Sequence, residues 1–410
     1  MPDFESSTLG KEDERRGNYL EIAVPATPSL QGILEEKIRK NGPLDFADYM
    51  ACALYHPDLG YYAIEARQVG RDGDFFTSVS VGPLFGNLLA RRFLREWQEL
   101  GEPKRWRILE CGAHDGTLAF DVLSALRELA PAAFAALEYV ICEPLPRLRD
   151  LQAERLKDFS DQVRSIHELE TLARNPLPGL VFGNELLDAL PFHVVEWRKG
   201  KWNTCGVACG VDGKFCWEVG DGVASAQVVE ALAPLGGNFA DGYRTEVRTG
   251  VRDFLEPLTQ CISTGLLLWL DYGFAQPEYY DPARSQGTMR TFSKHRAGED
   301  PLSSPGEIDI TAHVDFTAVA MAAKELGCVL RAFCRQGAWL TEIGAEWLRA
   351  QEGRPDRAKL REFQTLTHPS HLGGCFHVLE LGWNLKERKL LAERDLHRLA
   401  LFTCGGADSQ

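Results

Sequence analysis

The chain has 410 residues, of which 44% are hydrophobic and 25% charged, and its formal net charge is -14. This length and composition exclude a disordered chain and predict a large core in one enlarged domain or two. The acidic balance, without any long Lys/Arg run, argues against non-specific binding to nucleic acid. No apolar run reaches the length of a membrane span.

The 11 cysteines are scattered, with no CxxC pair and no Cys/His spacing of zinc type. We therefore expect no metal site and interpret the cysteines as reduced thiols of a cytoplasmic protein. Residues 1–28 are polar and acidic and resemble neither a secretory signal nor an Arg-rich transit peptide. They are expected to form a flexible tail.

An N-terminal extension is predicted over residues 29–104. Apolar residues recur at helical spacing in 30–40, 44–54 and 84–100, and Asp45 is a suitable N-cap for the second helix. Between them, 70–86 is rich in Gly, Asp, Ser and Thr and carries Phe75 and Phe76. Such a loop suits a segment that closes over a ligand, and the alternative is an ordinary connection whose phenylalanines fill the core.

The stretch 107–123 reads as a buried strand, a Gly-rich turn and a helix. Glu110 ends the strand, and Gly112 and Gly116 lie in the turn. This arrangement is how α/β proteins build a nucleotide pocket, because the backbone passes close to the ligand there. Ala113 and His114 occupy the region of the middle glycine of the dinucleotide fingerprint, which argues against an NAD-dependent oxidoreductase.

A second predicted strand also ends at an acidic residue, and it follows the Gly-rich turn along the chain, as expected for a nucleoside pocket. Residues 137–142 form an apolar run that ends in Glu143. A carboxylate at this point can accept both ribose hydroxyls of an adenosine. Two strand ends with carboxylates are more specific than either one alone.

Polar residues also follow two later predicted strands. Asn184, Glu185 and Asp188 come after 179–183, and Asp271 comes after 265–270. Ligands of open parallel sheets lie at the carboxyl ends of the strands, so these side chains are expected beside the cofactor. The alternative is that Asn184 caps a helix and that Asp188 is exposed.

The main domain is predicted over 105–385, with insertions at about 193–245 and 274–315 and a C-terminal tail over 386–410. The first insertion has alternating strands with Gly turns, whereas 245–262 has helical spacing. The second insertion has little predicted regular structure, which is typical of lids and binding loops. His313 lies near its end and is either catalytic or structural.

Several motifs together resemble the MidA family of class I S-adenosylmethionine (SAM) methyltransferases. They are FADYMACALYHPDLGYY, GDFFTSVSVGPLFG, ILECGAHDG, GNELLDALPFHVV, DYGF, SQGTMRTF and GEIDITAHVDF, and they cover roughly residues 30–382 in one order. The resemblance implies an α/β fold with a seven-stranded Rossmann-like sheet. The family includes a mitochondrial protein arginine methyltransferase that assists assembly of respiratory complex I.

The resemblance also implies roles for individual residues. The positions that match cofactor-binding residues are Gly73, Asp74, Phe75, Thr77, Ser78, Glu110, Gly112, Ala113, Gly116, Glu143 and Asn184. For the methyl acceptor, Glu185 is the first catalytic candidate, and Asp188 or Asp271 is the second. The implied activity is methyl transfer from SAM to a protein side chain, with arginine favoured, and a partner that is basic near the modified residue.

Two departures from the family pattern support an alternative function. The loop usually reads TSPE, whereas Val79 and Ser80 follow Ser78 here. The first motif usually has a second glycine, whereas Ala113-His114-Asp115 follows Gly112 here. If these changes remove function, the chain is a SAM-binding assembly protein with weak or no catalysis.

Overall fold

The computed structural model describes residues 29–64 and 77–385, apart from 238, 294, 295, 299 and 354, together with Leu399. Gly73, Asp74 and Phe75 of the expected cofactor loop lie outside the described residues. So do the predicted N-terminal tail and most of the predicted C-terminal tail. Leu399, the described residue of that C-terminal segment, is fully buried in the core.

A seven-stranded sheet forms the centre of the fold, as the sequence predicts. Its strands are β1 (Trp106–Cys111), β2 (Leu137–Cys142), β3 (Val163–Ile166), β4 (Leu177–Asn184), β5 (Ile262–Phe274), β6 (Val329–Arg335) and β7 (Phe376–Trp383). The strand order is β3-β2-β1-β4-β5-β7-β6, and Val314–Asp315 adds a short pairing to the end of β5. The first five strands are parallel, and β7 is antiparallel to both of its neighbours.

Helices cover both faces of this sheet, which explains why the central strands are buried. Every residue of β1 is buried. One face packs against the helices Leu84–Glu99 and Thr117–Leu129, and the other packs against Val251–Thr259 and Phe316–Glu325. Parallel sheets need such cover on both sides.

The described chain contains further helices, some of them outside these layers. They are Leu30–Asn41, Phe46–Tyr55, Ser78–Val81, Pro131–Ala135, Pro146–Arg155, Glu170–Ala173, Ala226–Leu232, Gln276–Tyr279, Gln336–Ile343, Ala345–Ala350, Arg357–Thr367 and Leu372–Cys375, with 3₁₀ turns at Tyr61–Ala63, Lys157–Phe159, Ala233–Leu235 and Pro282–Arg284. Asp45 accepts the N–H of Ala47 at 2.9 Å and caps Phe46–Tyr55, as predicted. Within the described ranges, no helix is long and apolar enough to cross a membrane.

The first insertion forms an antiparallel sheet, as expected. Its strands are Leu44–Asp45, His193–Arg198, Lys201–Cys209, Phe215–Val223 and Arg244–Val247. The prediction of a helix over 245–262 is wrong at its start, because Arg244–Val247 pairs with His193–Arg198 and the helix begins only at Val251. Pairing with a strand some 50 residues earlier overrides the local helical spacing.

The second insertion contains more regular structure than predicted. Arg290–Ser293 pairs with Arg296–Ala297 and with Asp309–Thr311 in a small antiparallel sheet. This sheet shares a core with the N-terminal helices: Ile310 belongs to the same buried cluster as Tyr49. The extension and both insertions therefore pack together beside the central sheet.

Candidate active site

The turn after β1 has three residues in the left-handed backbone region. The φ angles are +74° at Gly112, +47° at His114 and +82° at Gly116. A Cβ atom at Gly112 would lie 2.9 Å from Cδ1 of Leu186, so a larger residue would require the Leu186 side chain to shift. Glycine adopts such φ angles without steric cost, whereas His114 does not. Ala113 is buried, and its carbonyl accepts the N–H of Gly116 at 2.8 Å.

Glu110 lies beneath this turn and is only 2% exposed. The hydroxyl of Tyr139 donates to Oε2 of Glu110 at 2.6 Å. Burial raises the pKa of Glu110 to about 7, although this hydrogen bond acts in the opposite direction. A cation placed beside Glu110 would favour its ionised form.

Glu143 follows β2 and lies at the same edge of the sheet as the Gly-rich turn, because Cys142 pairs with Cys111. Its Oε1 accepts the N–H of Leu145 at 3.0 Å, and burial raises its pKa. Gln152 joins the two strand ends: its amide donates to the carbonyl of His114 at 2.7 Å and to Oε2 of Glu143 at 3.5 Å. The sequence alone did not predict Gln152 as a site residue. It could have been found as a polar residue on the buried face of the helix that follows Glu143.

Glu185 follows β4 with a φ angle of +53°. Three donors hold its carboxylate: the N–H of Ser78 (3.3 Å) and the amide of Asn184 (3.1 Å) donate to Oε1, and the hydroxyl of Tyr272 donates to Oε2 at 2.6 Å. Burial raises the pKa of Glu185 to about 7. The Asn184 amide therefore bonds to its neighbour rather than capping a helix, and its Oδ1 is buried without a partner.

Asp271 is completely buried, and both oxygens of its carboxylate accept hydrogen bonds from backbone N–H groups. Oδ2 accepts the N–H groups of Leu186, Leu187 and Asp188 at 3.1, 2.8 and 3.2 Å, and Oδ1 accepts the N–H of Tyr272 at 2.8 Å. Burial and the nearby carboxylates of Asp188 and Glu185 raise its pKa. The carboxylate of Asp271 is therefore engaged in holding the turn after β4, and its catalytic role stays a prediction.

Asp188 is 4% exposed, which contradicts the alternative of an exposed side chain. Its Oδ1 has no hydrogen-bond partner, and burial raises its pKa to about 6. Arg248 lowers that pKa by its charge, but its guanidinium N–H groups donate to backbone carbonyls, including the Asp188 carbonyl at 2.7 Å. Asp188 is thus a buried carboxylate that retains an unused acceptor.

The described end of the cofactor loop contacts the turn after β4. Thr77 caps the short helix Ser78–Val81, and Ser80 completes a reciprocal cap with it. Ser78 is fully buried; its N–H donates to Glu185 and its hydroxyl donates to Gln336 at 3.3 Å. Thr77 and Ser78 therefore lie beside Glu185, a contact that the sequence did not predict.

His313 packs near the site without joining it. Its ring centroid is 5.0 Å from that of Phe274 and 6.4 Å from that of Tyr272, and its Nδ1 is buried without a partner. Burial, with help from the charges of Arg290 and neighbouring arginines, lowers the pKa of His313 to about 4. The ring is neutral at neutral pH, in agreement with the structural alternative.

Comparison with known proteins identifies the family. The sequence family described as "Putative S-adenosyl-L-methionine-dependent methyltransferase" matches residues 88–334. The chain belongs to this methyltransferase family. A Burkholderia thailandensis protein solved with S-adenosyl-homocysteine bound is 30% identical, with a TM-score of 0.78 over 87% of this chain and 92% of that one.

Curated relatives of the methyltransferase are named as protein arginine methyltransferases. The Drosophila melanogaster protein "Protein arginine methyltransferase NDUFAF7 homolog, mitochondrial" is 28% identical over 86% of this chain and 84% of its own length. The Mus musculus protein arginine methyltransferase NDUFAF7, also named mitochondrial, is 26% identical over 89% and 86%.

The residues of the methyltransferase fit its cofactor, SAM. Each oxygen of Glu143 takes one donor from the protein, which leaves acceptor sites for the two hydroxyls of a ribose. Glu110 has a buried carboxyl at this edge of the sheet, which would suit the cationic part of the cofactor. In the part of the chain that the structure describes, no group of three or more His, Cys, Asp or Glu could hold a metal ion.

Proposed function

We propose that this methyltransferase methylates an arginine side chain of a partner protein and that Glu185 orients the guanidinium. The observation that carries the proposal is the partly buried Glu185, whose carboxylate is held by three neutral donors, with the unused Oδ1 of Asp188 close by. Neither carboxylate forms a salt bridge with a described Lys or Arg. Buried carboxylates are costly unless a cation joins them, and a guanidinium supplies that cation.

The chemistry requires little more than alignment and charge. Bound SAM supplies an electrophilic methyl group: its S–CH₃ bond breaks as an N–CH₃ bond forms to the acceptor, which leaves a neutral thioether. Glu185 would hold one N–H of the guanidinium, concentrate its positive charge and direct a nitrogen at the methyl group. Alignment of this kind can supply about 7–11 kcal/mol of the barrier. The acceptor proton can leave after transfer, so a strong base is unnecessary.

A second candidate function is a SAM-binding assembly protein without catalysis. The replacement of the usual loop Pro-Glu by Val79-Ser80 favours it. Against it, Ser80 completes the helix cap with Thr77, and the Ser78 N–H still reaches Glu185. We therefore favour an active enzyme.

The test of catalysis uses methyl-labelled SAM with a protein extract, followed by hydrolysis and identification of the labelled amino acid. We expect methylarginine. Glu185→Gln should keep its affinity for S-adenosylhomocysteine and lose at least about tenfold in turnover, which is about 1.4 kcal/mol of barrier. The exposed Glu218→Gln is the control and should retain both. Label in another residue, or undiminished turnover in Glu185→Gln, would reject the proposal.

The test of the cofactor pocket is a calorimetric titration with S-adenosylhomocysteine. Wild-type protein should bind, and Glu143→Ala should bind at least about tenfold more weakly, since it loses hydrogen bonds to the ribose. Glu154→Ala, on an exposed helix surface, is the matched control. Wild-type binding without any methyl transfer would favour the assembly protein.

The protein partner and the cellular location are further proposals. The strongly acidic chain favours a partner that is basic around the modified arginine. We also propose a reducing compartment, either the cytoplasm or the mitochondrial matrix, because buried thiols such as Cys52, Cys111 and Cys205 form no disulfide and the curated relatives are named mitochondrial. Fractionation of source cells, probed with an antibody to the chain, distinguishes the two locations.

A further inference from the structure

Tyr272 lies at the end of β5, directly after the buried Asp271. Its ring centroid is 4.5 Å from that of Phe376, and its hydroxyl lies 2.6 Å from Oε2 of Glu185. The backbone N–H of Tyr272 donates to Asp271, whose other oxygen holds the turn that carries Glu185. Tyr272 and Glu185 are thus fixed relative to each other through both side chain and backbone.

The hydrogen bonds to Glu185 leave few acceptor sites for a ligand. An ionised carboxylate has about four lone-pair sites, two on each oxygen. Two N–H donors, from Ser78 and Asn184, occupy Oε1, and the Tyr272 hydroxyl occupies one site on Oε2. A single site remains, on Oε2, beside the Tyr272 hydroxyl.

We propose that Tyr272 is a positioning residue of the methyltransferase: its hydroxyl keeps Glu185 ionised and leaves one Oε2 site to receive the methyl acceptor. This inference rests on the proposed role of Glu185. The acceptor then forms one hydrogen bond to Glu185 rather than a bidentate pair of hydrogen bonds. A single bond leaves the guanidinium free to turn another nitrogen toward the methyl group.

The charges around Glu185 make the Tyr272 hydrogen bond important. Asp188 and Asp271 face Glu185 and disfavour its ionised form, as does burial. Two basic side chains of this region have other partners: Arg248 donates to backbone carbonyls, and the His313 ring packs near the Tyr272 ring, with 6.4 Å between the centroids. Three neutral donors therefore stabilise the Glu185 carboxylate. The hydrogen bond from Tyr272 is the shortest of the three.

Tyr272→Phe removes this hydroxyl and keeps the ring against Phe376. The pKa of Glu185 should rise by about one unit, because a hydrogen bond to a charged group favours that form by about this amount. The acid limb of the pH profile of kcat/KM should move up by the same amount. At pH 7, kcat should fall while KM for the acceptor changes little, since the vacated site on Oε2 can still bind it.

Tyr279→Phe is a matched control. The Tyr279 hydroxyl donates to Oε2 of Glu246 at 3.3 Å, in a buried tyrosine–glutamate pair of the inserted region. This variant should leave the pKa of Glu185 and the pH profile unchanged. It therefore separates a general loss of stability from a specific effect on Glu185.

The deciding measurement is an infrared titration of the Glu185 carboxyl with S-adenosylhomocysteine bound, assigned by its absence in Glu185→Gln. An unchanged Glu185 pKa in Tyr272→Phe would overturn the inference. If the pKa of Glu185 rises in Tyr272→Phe but Glu185→Gln keeps full turnover, the proposed role of Glu185 in catalysis is rejected. The hydrogen bond by which Tyr272 holds Glu185 would still be supported. If Tyr272→Phe does not fold, 3-fluorotyrosine at position 272 is a stronger donor and should lower the pKa of Glu185.

Discussion

Thr77 and Ser80 cap each other at the start of the helix beside Glu185. The N–H of Thr77 donates to the Ser80 hydroxyl at 3.0 Å, and the N–H of Ser80 donates to the Thr77 hydroxyl at 3.2 Å. In a reciprocal cap of this kind the fourth residue is usually Glu or Gln. Ser80 stands at the Glu position of the TSPE pattern of the family that the sequence resembles, and it forms the cap that a Glu would provide there.

Ser80→Ala should destabilise the protein, and Ser80→Glu should not. Loss of the cap costs about 0.5–2 kcal/mol in the free energy of unfolding, whereas Glu can form the same cap. Urea denaturation measures both effects, with the exposed Ser160→Ala as control. S-adenosylhomocysteine affinity should fall only in Ser80→Ala. Equal destabilisation by Ala and Glu would show that Ser80 does more than cap the helix.

The sequence predicted the strand ends well because they are local features. Short apolar runs that stop at a glycine or an acid located Glu110, Glu143 and Glu185, and parallel pairing then brings them to one edge of the sheet. The strand Arg244–Val247 was not predicted, since its partner is distant in sequence and helical spacing fits its residues equally well. Local pattern cannot contain information about such a partner.

The sequence could not predict how side chains at those strand ends are oriented. The sequence placed Asp271 after a strand, as it did Glu185, yet Asp271 lies within β5 and its oxygens face backbone N–H groups. Gln152 and Tyr272 act through other residues, and their contacts depend on the register between helix and sheet. Roles of this kind follow from the three-dimensional arrangement and not from the residue type.

His114→Gly should stabilise the turn or leave the free energy of unfolding unchanged. The φ angle of +47° costs a non-glycine residue about 1–2 kcal/mol, while the greater flexibility of glycine in the unfolded chain offsets roughly 0.5–1 kcal/mol of this. The carbonyl that binds Gln152 belongs to the backbone and is retained. We expect unchanged affinity for S-adenosylhomocysteine in a calorimetric titration. A large loss of affinity would show instead that the imidazole itself contacts the cofactor.

Asp271→Asn should destabilise the protein by about 2–3 kcal/mol, because an amide cannot accept on its nitrogen the bonds that the carboxylate accepts. Two elements lose their connection: the turn after β4 through Leu187 and the end of β5 through Tyr272. Turnover should also fall in Asp271→Asn, because Glu185 lies in the turn after β4 and moves when this turn is displaced. Urea denaturation and a turnover assay measure the two effects. If Asp271→Asn has the free energy of unfolding of the wild type but has lost turnover, a direct catalytic role for Asp271 is supported.

Glu110 and Glu138 should give stability profiles of opposite slope against pH. Burial raises the pKa of Glu110 to about 7, while its unfolded value is about 4.3, so the folded protein binds more protons between these values. The free energy of unfolding therefore decreases as pH rises through this window. At Glu138, hydrogen bonds and charge from Arg164 and Arg107 overcome burial and lower the pKa, so its contribution is present above about pH 4.3 and is lost as pH falls below that value.

Glu110→Gln should remove the decrease between pH 4.3 and 7 and make the protein more stable than wild type at pH 8, by about 1–3 kcal/mol. The glutamine can still accept the hydrogen bond that Tyr139 donates to Glu110, so the packing is retained. Glu138→Gln should instead be less stable than wild type at pH 8, because Arg107 loses its charged partner. Urea denaturation at several pH values between 4 and 8 measures both variants. Parallel profiles for Glu110→Gln and wild type would mean that Glu110 is ionised in the free enzyme and that its charge is already balanced before the cofactor binds.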